Sequence, residues 1–220
     1  RVAMLYEEPF FCSFCAATFN NQTLRGVIAG LYPDLQLIPR LAPEVLAPAL
    51  LQVDTLFVPF IADAGPVATV PQASLDALKA FVQGGGKLIV RMHHASHPGT
   101  RNLIERAFGV HFGDVGEQAG AAYTCSATAA QNIGLTGVPA SGSAPYCGEF
   151  IRGALPSGAV SICQAGTDTS ILAALPFGDG VIFLEGIYNS NTMDYSAEQA
   201  RLTREMAEVD LVGVPSPQVD

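Results

Sequence analysis

Apolar residues in this chain fall in short runs, and stretches of helical spacing separate one run from the next. Val2 to Tyr6 is a first strand-like run, followed by the turn-like Glu7-Glu8-Pro9. Leu24, Val27, Ile28 and Leu31 then repeat at the spacing of one helical face, with Asn20 or Asn21 placed to cap the helix. Leu35 to Leu41 predicts a second strand, and Pro43 opens a helix through Val45, Leu46 and Leu50. Asp54 to Phe60 is a third strand without polar alternation, as expected where a sheet is covered on both faces. Ser74 reads as the cap of a helix carrying Leu75, Leu78, Phe81 and Val82, which Gly84-Gly85-Gly86 stops. Lys87 to Met92 is the fourth strand, and Thr100 to Phe108 a helix closed by Gly109.

Four rounds of strand and helix with short connections predict an α/β fold: a three-layer sandwich around a mainly parallel, flavodoxin-like sheet. The pattern changes after Gly113. Gly116 to Gly148 is rich in Gly, Ala, Ser and Thr, and the region around 116–160 reads as an irregular insertion of loops or short antiparallel pieces. Val160 to Cys163, Ile171 to Leu175 and Gly180 to Glu185 resume the strands, and Ser196 to Val209 closes with a helix. Residues 1–212 thus form one domain, with 213–220 a tail or linker stub.

Composition narrows the function classes. Of 220 residues only 14 % are charged, and 11 basic against 20 acidic side chains leave a net charge of −9. Clustered Lys and Arg supply the affinity for nucleic acid, so that partner is excluded. The longest apolar runs fall far short of the roughly 20 residues that span a bilayer. A surface this poor in charge repels copies of itself weakly, which favours association.

The five cysteines, Cys12, Cys15, Cys125, Cys147 and Cys163, are all candidates for disulfides, with one left over. Cys125 and Cys147 lie in the small-residue stretch, where a bridge would restrain a poorly packed loop. Asn21-Gln22-Thr23 is a glycosylation sequon. Together these favour an extracellular or periplasmic setting.

Val53-Asp54-Thr55-Leu56-Phe57-Val58-Pro59 and the stretch from Leu75 to Val90 resemble the class I glutamine amidotransferase-like superfamily. The likeness is nearest to its trehalose-utilisation-type and β-galactosidase trimerisation-like branches. Ala107 to Phe112 and Phe177 to Leu184 continue it, over residues 1–115 and 170–210. The resemblance implies a cysteine nucleophile on a tight turn after the fourth strand, with His and Glu partners after the last strand. This chain instead has Arg91-Met92-His93-His94-Ala95-Ser96-His97-Pro98-Gly99 at the first place and Glu185-Gly186-Ile187-Tyr188-Asn189 at the second. The thiol chemistry of the family is therefore not expected.

Ligands of open α/β sheets bind at the carboxyl ends of the strands. The polar residues there are Glu7, Glu8, Asp63, His93, His94, Glu185 and Asn189. His93, His94 and His97, with Glu7 or Glu185, have the donor chemistry to hold a transition metal such as zinc and activate water. Ser96 with a neighbouring histidine and Asp63 is the material of a hydrolase triad, though it lacks the Gly-x-Ser-x-Gly elbow. Cys12-Ser13-Phe14-Cys15 has redox spacing, but the helical pattern begins only near Asn20. No P-loop or dinucleotide fingerprint occurs. The expectation is a non-catalytic extracytoplasmic module, without cofactor, that binds a ligand or assembles with copies of itself. The alternative is a metal-dependent hydrolase built on His93, His94 and His97.

Overall fold

A computed structural model describes residues 1–6, 16–62, 64–92, 98–113, 115–151, 155–188 and 197–211. In chain order the elements are β1 (Val2–Leu5), α1 (Ala16–Leu31), β2 (Gln36–Ile38), α2 (Pro43–Leu50), β3 (Thr55–Val58), α3 (Ala64–Ala68), α4 (Gln72–Gln83), β4 (Lys87–Arg91) and α5 (Gly99–Phe108). There follow β5 (Val115–Cys125), α6 (Ala127–Asn132), β6 (Ser141–Ile151), β7 (Val160–Gln164), β8 (Thr169–Phe177), β9 (Gly180–Glu185), β10 (Ile187–Tyr188) and α7 (Ala197–Glu208).

The strands make one ten-stranded sheet in the order β10-β6-β5-β7-β8-β9-β4-β3-β1-β2. From β2 to β9 every pairing is parallel, and the order of those five strands is the doubly wound 2-1-3-4-5 pattern. Their apolar runs split by alternation into two cores. Leu56, Val58, Leu88, Val90, Ile182 and Leu184 pack with α2, α4 and α5 on one face. Val2, Met4, Phe57, Ile89 and Phe183 pack with α1, α6 and α7 on the other. β1, β3, β4 and β9 are buried on both sides because each face carries helices, which is why their runs are mostly apolar, while the edge strand β2 keeps Gln36 exposed.

The sheet is parallel only in this half. The pairings β9–β8, β8–β7, β7–β5, β5–β6, β6–β8 and β6–β10 are antiparallel, which corrects the expectation of a mainly parallel sheet. Gly178 and Asp179 alone join β8 to β9, and so short a link forces the chain back antiparallel. Gly180 is required at that joint. A Cβ there would lie 2.2 Å from the carbonyl oxygen of Val82 and 2.3 Å from that of Gly86, at the end of α4.

The stretch expected to be irregular is the second correction. It holds two eleven-residue strands, β5 and β6, paired from Val115↔Phe150 to Thr124↔Ser141. A straight strand would separate Val115 from Thr124 by about 30 Å. Yet Phe150 pairs with Ser170, Ser170 faces Gln164, and Gln164 pairs with Thr124. The ribbon must curl to bring both ends to the β7–β8 turn. Small residues such as Gly116, Gly120 and Gly142 permit that curvature. At Gly142 the ring of cross-strand Tyr123 fills the missing side chain's place, with the phenol oxygen 2.3 Å from where a Cβ would sit. Tyr123 is thereby buried.

Helix starts differ from the sequence reading at two places. α1 begins at Ala16 rather than near Asn20. α4 begins at Gln72 behind Pro71, so Ser74 is no cap: it lies inside the helix, buried, with no hydrogen-bond partner for its hydroxyl among the described residues.

Candidate functional site at the carboxyl ends of the parallel strands

β4 and β9 pair in register, and their last residues, Arg91 and Glu185, stand opposite each other. Both follow apolar residues, Leu88 to Val90 and Val181 to Leu184, so both are drawn to the level of the buried sheet, with only 5 % and 3 % of their surface exposed. A guanidinium Nη2 of Arg91 lies 3.6 Å from Oε1 of Glu185. Burial pushes the Glu185 carboxyl above its ordinary range, and the Arg91 charge only partly opposes this. The backbone around the pair is fixed. The Met92 N–H donates to the Glu185 carbonyl at 2.8 Å, and the Gly186 N–H to the Ile171 carbonyl at 2.8 Å.

The neighbouring strand end is tied just as firmly. Buried Thr100, at the start of α5, accepts through Oγ1 from the Ile61 N–H at 2.7 Å, and its own N–H donates to the Ile61 carbonyl at 3.1 Å. This locks the segment after β3 to the first turn of α5. On the far side of β1, the Arg25 guanidinium lies over the Tyr6 ring, 5.0 Å from its centroid.

Of the residues expected to form the site, Glu185 is the one whose side chain is described here. Glu7, Glu8, Asp63, His93, His94, Ser96, His97 and Asn189 lie outside the described residues, as do Cys12 and Cys15. Asn21 falls within α1. Among the described residues no three His, Cys, Asp or Glu side chains are grouped as metal ligands. Glu185, the carboxylate considered as a partner for the histidines, is held by Arg91, and the histidines themselves lie outside the described residues.

Sequence reasoning missed Arg91. The signal was present: LIVR and VIFLE are apolar runs that each end in a charge, and the two charges have opposite sign. Strands placed side by side in parallel bring such ends together.

One disulfide is described, and it joins Cys125 to Cys163, not to Cys147. Cys125 and Cys163 are register partners in β5 and β7, with Cα atoms 4.0 Å apart. The Ser126 N–H donates to the Ile162 carbonyl, while that of Cys125 turns to Ala140. The two cysteines thus form a non-hydrogen-bonded pair, the closer of the two antiparallel positions. Cys147, in β6, is the register partner of Gln118 in β5 and of Ile187 in β10.

Two cavities lie at the opposite, amino-terminal end of the parallel strands. One of about 500 Å³ sits between α2 and α4, lined by Leu50, Ala77 and Phe81. Another of about 490 Å³ is lined by Tyr32, Asp34, Asp54, Thr55, Lys87 and Glu208.

No protein-family model matches the chain, and no curated protein matches it in sequence. Solved structures do. A ThuA-like protein from Bacteroides uniformis superposes with a TM-score of 0.64 at 12 % identity, over 93 % of this chain and 89 % of that one. A β-galactosidase from Bacillus circulans sp. alkalophilus gives 0.63 at 12 % identity, over 94 % of this chain but only 30 % of the enzyme. A cytoplasmic protein from Salmonella typhimurium LT2 gives 0.62 at 12 % identity, over 94 % of this chain and all of that protein. The chain therefore spans under a third of the galactosidase it matches. Identities this low show a shared fold alone, in the same fold neighbourhood to which the sequence resemblance pointed.

Proposed function

We propose that the chain is a non-catalytic member of the amidotransferase-like fold, an extracytoplasmic module that binds a ligand or assembles with copies of itself. The observation that carries this reading is the Arg91–Glu185 pair. In the family it resembles, the strand ends after β4 and β9 would carry the nucleophile and its Glu partner. Here β4 ends in an arginine, and the glutamate ending β9 is buried against it and neutralised. An acid–base group must reach a substrate proton to act. Glu185 faces a cation inside the sheet and is nearly sealed from solvent.

The Cys125–Cys163 bridge supports an oxidising compartment, since such bonds persist mainly outside the reducing cytosol. The sparse surface charge supports self-association. Sedimentation velocity of the oxidised protein, at rising concentration, tests the assembly half of the reading. A discrete oligomer is expected, and a single monomer boundary at the highest soluble concentration would overturn it. The non-catalytic half is tested with Glu185→Gln: loss of a measured hydrolytic turnover in that variant, with its fold intact, would contradict it.

A further inference from the structure

From the way the β5–β6 ribbon joins the rest of the sheet we infer that the Cys125–Cys163 disulfide is a redox clasp. A dithiol that reduces it frees the end of β5 from β7, and the parallel half stays folded. β5 meets β7 at two register pairs, Thr124↔Gln164 and Cys125↔Cys163. The second is the non-hydrogen-bonded pair, so the two cysteines are linked through sulfur and exchange no backbone bond. β7 is irregular at the same place, since its register against β8 shifts on either side of Cys163.

The ribbon's other attachments do not depend on sulfur. Past α6, the Glu205 carboxylate of α7 accepts from the N–H groups of Thr136 at 3.3 Å and Gly137 at 2.9 Å. At its far end β6 pairs with β8 through Phe150↔Ser170 and Ile151↔Thr169. Breaking the bridge therefore loosens the corner from Tyr123 to Cys125 between points that stay fixed. It also bares the outer edge of β7, a pairing edge that the closed form withholds from other chains. Cys163 is fully buried, whereas Cys125 keeps part of its surface open, which directs attack to Cys125. One thiolate of the dithiol bonds to the Cys125 sulfur and displaces that of Cys163. The second thiolate then closes onto the first sulfur and expels Cys125. Two electrons and two protons pass to the protein, which ends with two thiols, and the dithiol ends as its own disulfide.

The oxidised protein is incubated with dithiothreitol in native buffer, and cysteine alkylation and hydrogen exchange are read by peptide mass spectrometry. Cys125 and Cys163 are both expected to become alkylated without denaturant. Amides of Tyr123 to Cys125 and of Val160 to Gln164 should exchange about a hundred-fold faster, under the ceiling of roughly 700-fold that the chain-entropy estimate sets for a separation of 38 residues. Those of β3 and β4 should keep their rates, and removal of the reductant should restore the closed pattern. A bridge that yields only in urea, or one reduced with no local change in exchange, would overturn the proposal. So would equal loss of protection in both halves, the mark of a staple for the whole fold. Cys125→Ser separates this bridge from the other three cysteines. That variant is expected to show the open pattern from the outset and to ignore dithiothreitol, and a further response to the reductant would refute the clasp.

Discussion

The two halves of the sheet are held by different means. From β2 to β9 the strands carry large apolar side chains on both faces, and helices seal each face. From β8 outward to β10 the chain holds the sheet through antiparallel pairing, a ribbon of small residues and one disulfide. The first half stays together because its side chains exclude water; in the second, β7 and β8 still bury Ile162, Ile171 and Leu172 in the core, and the β5–β6 ribbon beyond them relies more on backbone pairing and the covalent tie. Dense packing makes a strand legible in a sequence. A curled ribbon of Gly, Ala and Ser has the same composition as a loop, so its pairing stays hidden.

Substitutions in each half should therefore fail differently. The largest effect is expected for Phe183→Ala in β9, fully buried in the core that also holds Met4, Phe57 and Ile89. It should cost about 3 to 5 kcal/mol and lower the urea midpoint of the whole chain. The disulfide closes a separation of 38 residues. Replacing Cys163 with Ser should then remove about 4 kcal/mol on the chain-entropy estimate. Hydrogen exchange is the sharper reading: amides of β5 and β7 should lose protection while those of β3 and β4 keep theirs. Equal loss in both halves would erase the distinction.

Glu185→Gln sits on the border between the halves, since Glu185 pairs with β4 on one side and β8 on the other. Losing the charged partner of Arg91 costs stability, while removing a carboxylate whose charge burial disfavours returns part of it, so the net cost should stay below about 3 kcal/mol. The wild-type carboxyl also carries a pH signature. Its pKa is raised above about 4.5 in the fold, so the folded chain keeps that proton to higher pH than the unfolded chain. The contribution of Glu185 to stability thus falls as pH rises above that value. Urea midpoints measured from pH 4 to 7 should decline more steeply in wild type than in the variant. The smallest effect is expected for Gly142→Ala, where a methyl group would enter the Tyr123 ring. Overpacking of this kind costs about 1 to 3 kcal/mol, and near-ultraviolet circular dichroism of the tyrosines should report it.

The sequence was most informative where hydrophobic period and turn chemistry agreed. Pro43 opens α2, Gly109 caps α5, and the runs at Val2, Thr55, Lys87 and Gly180 are strands, as their spacing predicts. Ser74 misled because a serine three residues into a helix looks like a cap, while Pro71 had already set the entry. The β5–β6 ribbon was missed because its partners lie across α6 and across the β7–β8 turn, too far along the chain for local patterning to show. The site was half legible. Glu185 could be placed at a strand end, but its partnership with Arg91 depended on β9 lying beside β4, which no local signal encodes.

That adjacency has a consequence for how the protein is made. β4 is a central strand, yet the partner on its second edge is synthesised roughly ninety residues later. At about 5 to 20 residues per second, the edge of Leu88, Ile89 and Val90 waits on the order of 5 to 20 s for β9 to emerge. During that interval the nascent chain presents an apolar, unpaired strand edge, a template for pairing with another chain. The hazard in producing this protein is thus greatest before β9 has left the ribosome, and slower synthesis across β5 to β8 should lower the soluble yield.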